Sequence, residues 1–243
     1  MATTPTKAAS AADRQLAKRG KRYRAAAAKA PATAVSIDAA VALVKGFDQP
    51  KFDQAVELIF NLGVDPAHAD QAIRSSISLP HGIGKSKRVV AFTNDPSRAQ
   101  ACLDAGAVRA GGEDLVGEIE KTGFSDFDVA IATPDMMRFV GRLGKTLGPK
   151  GLMPAPKAGT VTPDIENAVR EYAAGKLEFR TDKQGNVHTV VGRVSFDNQK
   201  LTENINTMVD RIRSLRPAAA KGLYIKKVVL KGSMTPAIPL QVA

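Results

Sequence analysis

A chain of 243 residues has room for one large domain or two small ones, and 44% hydrophobic residues support packed cores rather than a disordered chain. The formal charge of +11 favours a polyanionic partner. A single cysteine, Cys102, excludes an internal disulfide framework, and with three scattered histidines it gives no metal-ligand spacing, so neither metal nor cofactor is expected.

Residues 1–34 are rich in Ala, Lys, Arg and Thr and read as a basic mobile arm, with a short helix around 13–29. They lack the apolar core of a signal peptide, and no run in the chain approaches a membrane span. The expected address is the cytoplasm, with no membrane partner. Ser36 can cap a helix whose Ile37, Val41 and Val44 recur at helical steps. In "KFDQAVELIFNLGVD", Phe52, Val56, Leu58 and Phe60 fall mostly at alternate positions and predict a strand. The pair Asp65-Pro66 opens a short helical or loop segment.

From residue 88 the pattern changes. "RVVAFT" and "FDVAIATP" are short apolar runs of the kind buried parallel strands show. Between and after them, "DPSRAQACLDAGAV", "GGEDLVGEIEKTGF" and "PDMMRFVGRLGKTL" predict helices. Alternating strands and helices give a parallel sheet covered on both faces. Residues 145–160, "KTLGPKGLMPAPKAGT", are a Gly- and Pro-rich boundary. Beyond it lie a helix in "TPDIENAVREYAAGK" and a hairpin in "LEFRTDKQGNVHTVVGRVSF". An amphipathic helix follows in "NQKLTENINTMVDRIRSLRP", then a strand in "GLYIKKVVLKGSM".

The fold class expected is an α+β split domain, an antiparallel sheet with helices, carrying an inserted three-layer α/β domain with a Rossmann-like parallel sheet. Residues 35–81 plus 158–243 form the split domain, residues 82–157 the insert, and 78–87 and 147–160 the hinge segments. The insert holds 11 Lys/Arg against 9 Asp/Glu, whereas residues 1–50 hold 9 against 3 and residues 158–243 hold 13 against 8. The positive field therefore belongs mainly to the split domain.

Gly84-Lys85-Ser86 and Gly144-Lys145-Thr146 resemble the back half of a phosphate-binding loop. Each lacks the glycine five residues earlier, where Leu79 and Phe139 stand. The first precedes a strand and the second ends a helical pattern, the reverse of the context the loop needs. What remains is a set of cations, Lys85, Lys87, Arg88, Lys145, Lys150 and Lys157, in glycine-rich loops that could meet nucleic-acid phosphates or only solubilise a hinge. A nucleotide-binding enzyme or sensor using the α/β insert is the alternative function, although no catalytic constellation is visible.

"KFDQAVE", "SLPHGIGK", "GPKGLMPAPKAGTVT", "EFRTDKQGNVH", and "AKG" followed by "YIKKV" stand in an order that resembles the family of bacterial large-subunit ribosomal protein number one, from about Gly20 to about Pro236. The resemblance implies a structural protein of the mobile stalk, monomeric when free. Its implied partners are large-subunit rRNA, exit-site tRNA and its own operon mRNA, which it would repress. It also implies an RNA surface at Lys51, Phe52 and Glu57, at Arg180, Asp182, Lys183 and His188, and at Ser233, Met234 and Thr235. The family pattern is Thr-Met-Gly where Ser233-Met234-Thr235 stands here, and a glycine could adopt a positive φ or let RNA approach closely. On the residues alone, the favoured reading of Phe52 is a core side chain of the predicted strand.

Overall fold

The computed structural model describes residues 16–242 except 69, 125 and 221; the first fifteen residues of the basic arm lie outside the described residues. Helix α1, Lys21–Lys29, buries only Ala26, which joins the main core, and Arg22 pairs with Asp48 at 3.3 Å. Ser36 caps α2, Ile37–Gly46, by accepting from the Ala39 amide at 3.4 Å. Strand β1 is Ala55–Leu62 and β2 is Arg74–Ile77.

The α/β part runs β3 (Val89–Phe92), α3 (Pro96–Asp104), β4 (Ala107–Gly111), α4 (Glu113–Thr122) and β5 (Val129–Ala132). Then come α5 (Ile165–Ala173), β6 (Leu177–Arg180), β7 (Asn186–Arg193), α6 (Asn198–Ser214), β8 (Ile225–Gly232) and β9 (Ile238–Leu240).

Strands β7, β1, β8 and β9 form an antiparallel sheet in that order, and β4, β3 and β5 form a parallel one. Among the described residues, the antiparallel sheet is covered on one side only. Val56, Leu58, Phe60 and Leu62 of β1 point into a core completed by Leu201, Ile205, Met208 and Ile212 of α6 and Val41 and Val44 of α2. Each such fully buried aliphatic side chain contributes roughly 1.5–3 kcal/mol.

The parallel sheet is covered twice. Leu115, Val116 and Ile119 of α4, with Met136, Val140, Leu143 and Leu147, close one face. Cys102 of α3 and Ile165, Val169 and Tyr172 of α5 close the other. Part of the second covering layer, α5, therefore comes from beyond residue 157.

Several elements depart from the sequence reading. Residues 134–147 are a chain of single helical turns rather than one helix, interrupted around Gly141 and Gly144. The expected hairpin is open: β6 pairs with β2, and its continuation meets β7 at one bridge, Thr181 to Val187. The turn between them, with Gly185 at φ +76°, swings the strands apart so that Leu177 and Phe179 can enter the main core. Strands β2, β4 and β9 were not expected.

Candidate nucleic-acid interface

The uncovered face of the antiparallel sheet is laid out by register. Glu57 lies opposite Lys231 and Val190, Ile59 opposite Val229 and His188, and Asn61 opposite Lys227 and Asn186. The face is an apolar strip, Ile59, Val190 and Val229, edged by Lys227, Lys231 and His188. Glu57 and Lys231 form an ion pair at 2.7 Å. Glu57 thus holds a lysine on this face, and its carboxylate charge is matched there.

At the Ala55 end of the sheet stand two exposed apolar side chains, Phe52 at 54% and Met234 at 60% exposure. Phe52 is not a core residue. It lies in the loop 49–54, ahead of β1, and a polar network fixes that loop. Gln49 Nε2 donates to the carbonyls of Val44 and Phe47 at 3.0 Å each, closing the C-terminal end of α2. Gln54, fully buried, donates through Nε2 to Gln49 Oε1 and accepts the Met234 amide at Oε1, 2.7 Å away. The Asp53 carboxylate accepts from the Ser195 hydroxyl at 2.8 Å and the Ser195 amide at 3.1 Å. Phe52 and Met234 are therefore held outward by one buried glutamine between them.

Ser233, Met234 and Thr235 form the turn after β8. The Ser233 amide donates to the Ala55 carbonyl at 3.1 Å. Thr235 is buried; its hydroxyl accepts the Gly232 amide at 2.7 Å, and among the described residues no non-glycine residue has a positive φ. The threonine thus fits where glycine freedom was the concern, because it turns inward and closes the turn on itself. Lys51 is exposed beside Phe52.

About 20 Å along β1, at ~3.3 Å per residue, lies the second group. Arg180, Asp182, Lys183 and His188 line one concavity of about 600 Å³. The Asp182 carboxylate accepts the Asn186 amide at 2.7 Å and the Gln184 amide at 2.9 Å, with His188 Nε2 at 3.7 Å. Burial alone would push the carboxyl up, but these amide donors hold it below the usual carboxylate range. Arg180 sits directly opposite Arg74 in the β2–β6 register, a like-charge pairing that isolated sheets avoid. Arg74 is offset by Glu178 at 2.6 Å; Arg180 stays exposed.

The lysines expected in the hinge loops divide. Lys85, Lys145, Lys150 and Lys157 are exposed. Lys87 is half-buried and donates to the Lys176 carbonyl at 2.8 Å; burial pushes its ammonium down, opposed by Glu178 and Asp128. It is committed to the junction rather than offered to solvent. Residues 84–86 lead into β3, and Gly144–Leu147 is a single helical turn, so neither Gly-Lys sequence builds a strand–loop–helix phosphate cradle. Among the described residues no group of three or more His, Cys, Asp or Glu side chains could hold a metal, and no helix is long and apolar enough to cross a membrane.

Sequence reasoning missed Gln54, Arg74, Lys227 and Lys231. Gln54 had a signal: it shares the inward phase of Val56, Leu58 and Phe60, and a polar residue there must find hydrogen-bond partners.

Fold and face together define an α+β body with one open basic sheet face, interrupted by a three-layer parallel α/β unit. A profile of the Ribosomal protein L1p/L10e family matches residues 43–236. Two curated relatives, each named Large ribosomal subunit protein uL1, come from Chloroflexus aurantiacus strains J-10-fl and Y-400-fl. Each is 49% identical over 226 residues, covering 92% of this chain and 95% of the relative. The chain belongs to the Ribosomal protein L1p/L10e family.

Proposed function

We propose that this protein is a structural component of the large ribosomal subunit that binds rRNA through the open sheet face and the two residue groups at its ends. The observation that carries the reading is the exposure of Phe52 and Met234 on a buried glutamine support. Folded RNA presents a shallow minor groove, 2′-hydroxyls and unstacked bases, and these suit a preformed surface with apolar tips and hydroxyl or amide donors. Lys51, Lys231, Lys183 and Arg180 supply phosphate contacts; Glu57 and Asp182 orient Lys231 and His188. Ser233 adds a hydroxyl beside Met234, while Thr235 supports the turn from inside.

The same face would serve a folded element of the protein's own operon mRNA, making it a translational repressor. The insert would reach exit-site tRNA with its exposed cations, Lys145, Lys150 and Lys157 among them, in support of tRNA release. A filter-binding titration against a stalk-rRNA fragment, with random duplex RNA as competitor, tests the first claim. Selective binding that weakens steeply with salt is expected; equal affinity for the random duplex would overturn it. Expression of an operon-leader reporter with and without the protein tests repression, which an unchanged reporter output would exclude.

A further inference from the structure

Beside Met234 lies a cavity of about 670 Å³, lined on one side by Ser233 and Met234 with Lys231, and on the other by Arg19, Lys21 and Tyr23. That size falls within the roughly 300–1,000 Å³ typical of pockets that take small organic groups. Among the described residues no carboxylate lines it. Two of its cations are already matched from outside, Arg22 by Asp48 at 3.3 Å and Lys231 by Glu57 at 2.7 Å. Arg19 and Lys21 make no ion pair among the described residues. The Arg19 guanidinium instead lies 5.3 Å from the centre of the Tyr23 ring. The walls thus combine an aromatic ring, an exposed thioether and two positive charges that have no ion-pair partner among the described residues, on the same end of the sheet as Phe52.

We propose that residues 19–23 and the Ser233–Met234 turn form a pocket for one unstacked nucleotide of RNA, its base against Tyr23 and Met234 and its flanking phosphates against Arg19 and Lys21. A nucleotide presents a flat apolar face and a fixed anion at once, which matches both halves of the lining. An acidic peptide would satisfy the cations but leave the Tyr23 and Met234 surfaces without a counterpart. The pocket rests on the RNA reading above and extends it: the basic arm, not only the sheet, becomes part of the RNA surface.

The test uses the full chain and the stalk-rRNA fragment. The double variant Arg19→Gln, Lys21→Gln changes two exposed side chains and should keep the wild-type unfolding temperature. Its plot of log affinity against log salt should flatten by about 1.4–1.8, the contribution of two phosphates. Tyr23→Ala should weaken binding roughly 5- to 150-fold and Tyr23→Phe should not, as loss of one stacked base predicts. On the unsubstituted protein, ultraviolet cross-linking should join RNA to Tyr23 or Met234. If the salt slope and affinity of the double variant stay at wild type, with no cross-link, while Phe52→Ala still weakens binding, the pocket is overturned and the RNA reading stands. If random duplex also competes equally and Phe52→Ala has no effect, the RNA reading itself has failed. Protection of residues 19–23 by an acidic peptide but not by RNA would likewise overturn the proposal.

Discussion

Replacing Gln54 with methionine keeps the length of the side chain and removes every polar atom. Gln54 is fully buried, accepts the Met234 amide at 2.7 Å and donates to Gln49. In Gln54→Met the Met234 N–H and Gln49 Oε1 both lose their partner. Each unsatisfied group costs about 1–3 kcal/mol when fully buried. Met234 and Gln49 are themselves not fully buried, so water recovers part, and the net loss should be about 2–3 kcal/mol. For a chain of this size each kcal/mol shifts the melting temperature by about 2–4 °C, so thermal unfolding followed by circular dichroism should show a fall of roughly 4–12 °C. The informative readout is RNA binding by protein refolded well below that temperature. Gln54 touches no RNA in this arrangement, yet its loss frees both Phe52 and Met234, so affinity should also drop. An unchanged dissociation constant alongside a lowered melting temperature would refute the argument that Gln54 holds the binding tips in place. No change in either would show that the hydrogen-bond chain contributes nothing.

Phe52→Ala and Met234→Ala should each weaken rRNA binding by about 1–3 kcal/mol while leaving stability within roughly 0.5 kcal/mol, because both side chains are exposed. A loss of stability with no loss of affinity would return either residue to a structural role. Thr235→Val keeps the shape but orphans the buried Gly232 amide, which Thr235 Oγ1 accepts at 2.7 Å; chemical denaturation should show a loss of about 1–3 kcal/mol, and Thr235→Ser should recover much of it. Tyr172 is buried, and its phenol, pushed up to about 12 by that burial, donates to the Ala158 carbonyl at 2.7 Å. Between its ordinary value near 10 and about 12 the folded state binds more protons than the unfolded one, so stability should fall as pH rises through that window. Tyr172→Phe should flatten this part of the stability–pH curve; an identical curve would remove Tyr172 as its cause.

Much of the architecture was legible because its periodicities are strong. The Ser36 cap, the alternation of Val56, Leu58 and Phe60, and the apolar stripe of Leu201, Ile205, Met208 and Ile212 each name their element without help. Strand β4 was not legible, since "AVRAG" has one β-branched residue and small neighbours and is made a strand by pairing with β3. The stripe Ile165, Val169 and Tyr172 marks a helix but not which sheet it covers, and that choice fell to the parallel one. Phe52 misled for a similar reason. It lies in phase with Val56 and Leu58, but β1 begins at Ala55 and the chain leaves strand geometry before residue 52. The face itself was legible only through the resemblance, because strand pairing brings His188 onto the sheet and the ends of β1 and β8, with Phe52 and Met234, together, which local sequence does not encode.

The direction of the hydrogen-bond chain supports the proposal that this end of the sheet serves recognition. Its two ends are unambiguous: the Met234 amide can only donate, and the carbonyls of Val44 and Phe47 can only accept. Both glutamine amides between them are therefore fixed in one orientation, with Oε1 of Gln54 toward Met234 and Nε2 of Gln49 toward the helix. Nothing in that chain can relax without leaving a donor or acceptor of this part-buried network unmatched by protein. An exposed phenylalanine and methionine contribute little to the fold, so a rigid support beneath them has no stabilising purpose at their tips. It does reduce the ordering cost when a ligand settles on them, since the loops are already in the bound geometry. A surface loop built only for solubility would not need a buried glutamine tying it to both a helix end and the opposite strand's turn. The support, more than the charge, is what separates this face from an ordinary basic surface.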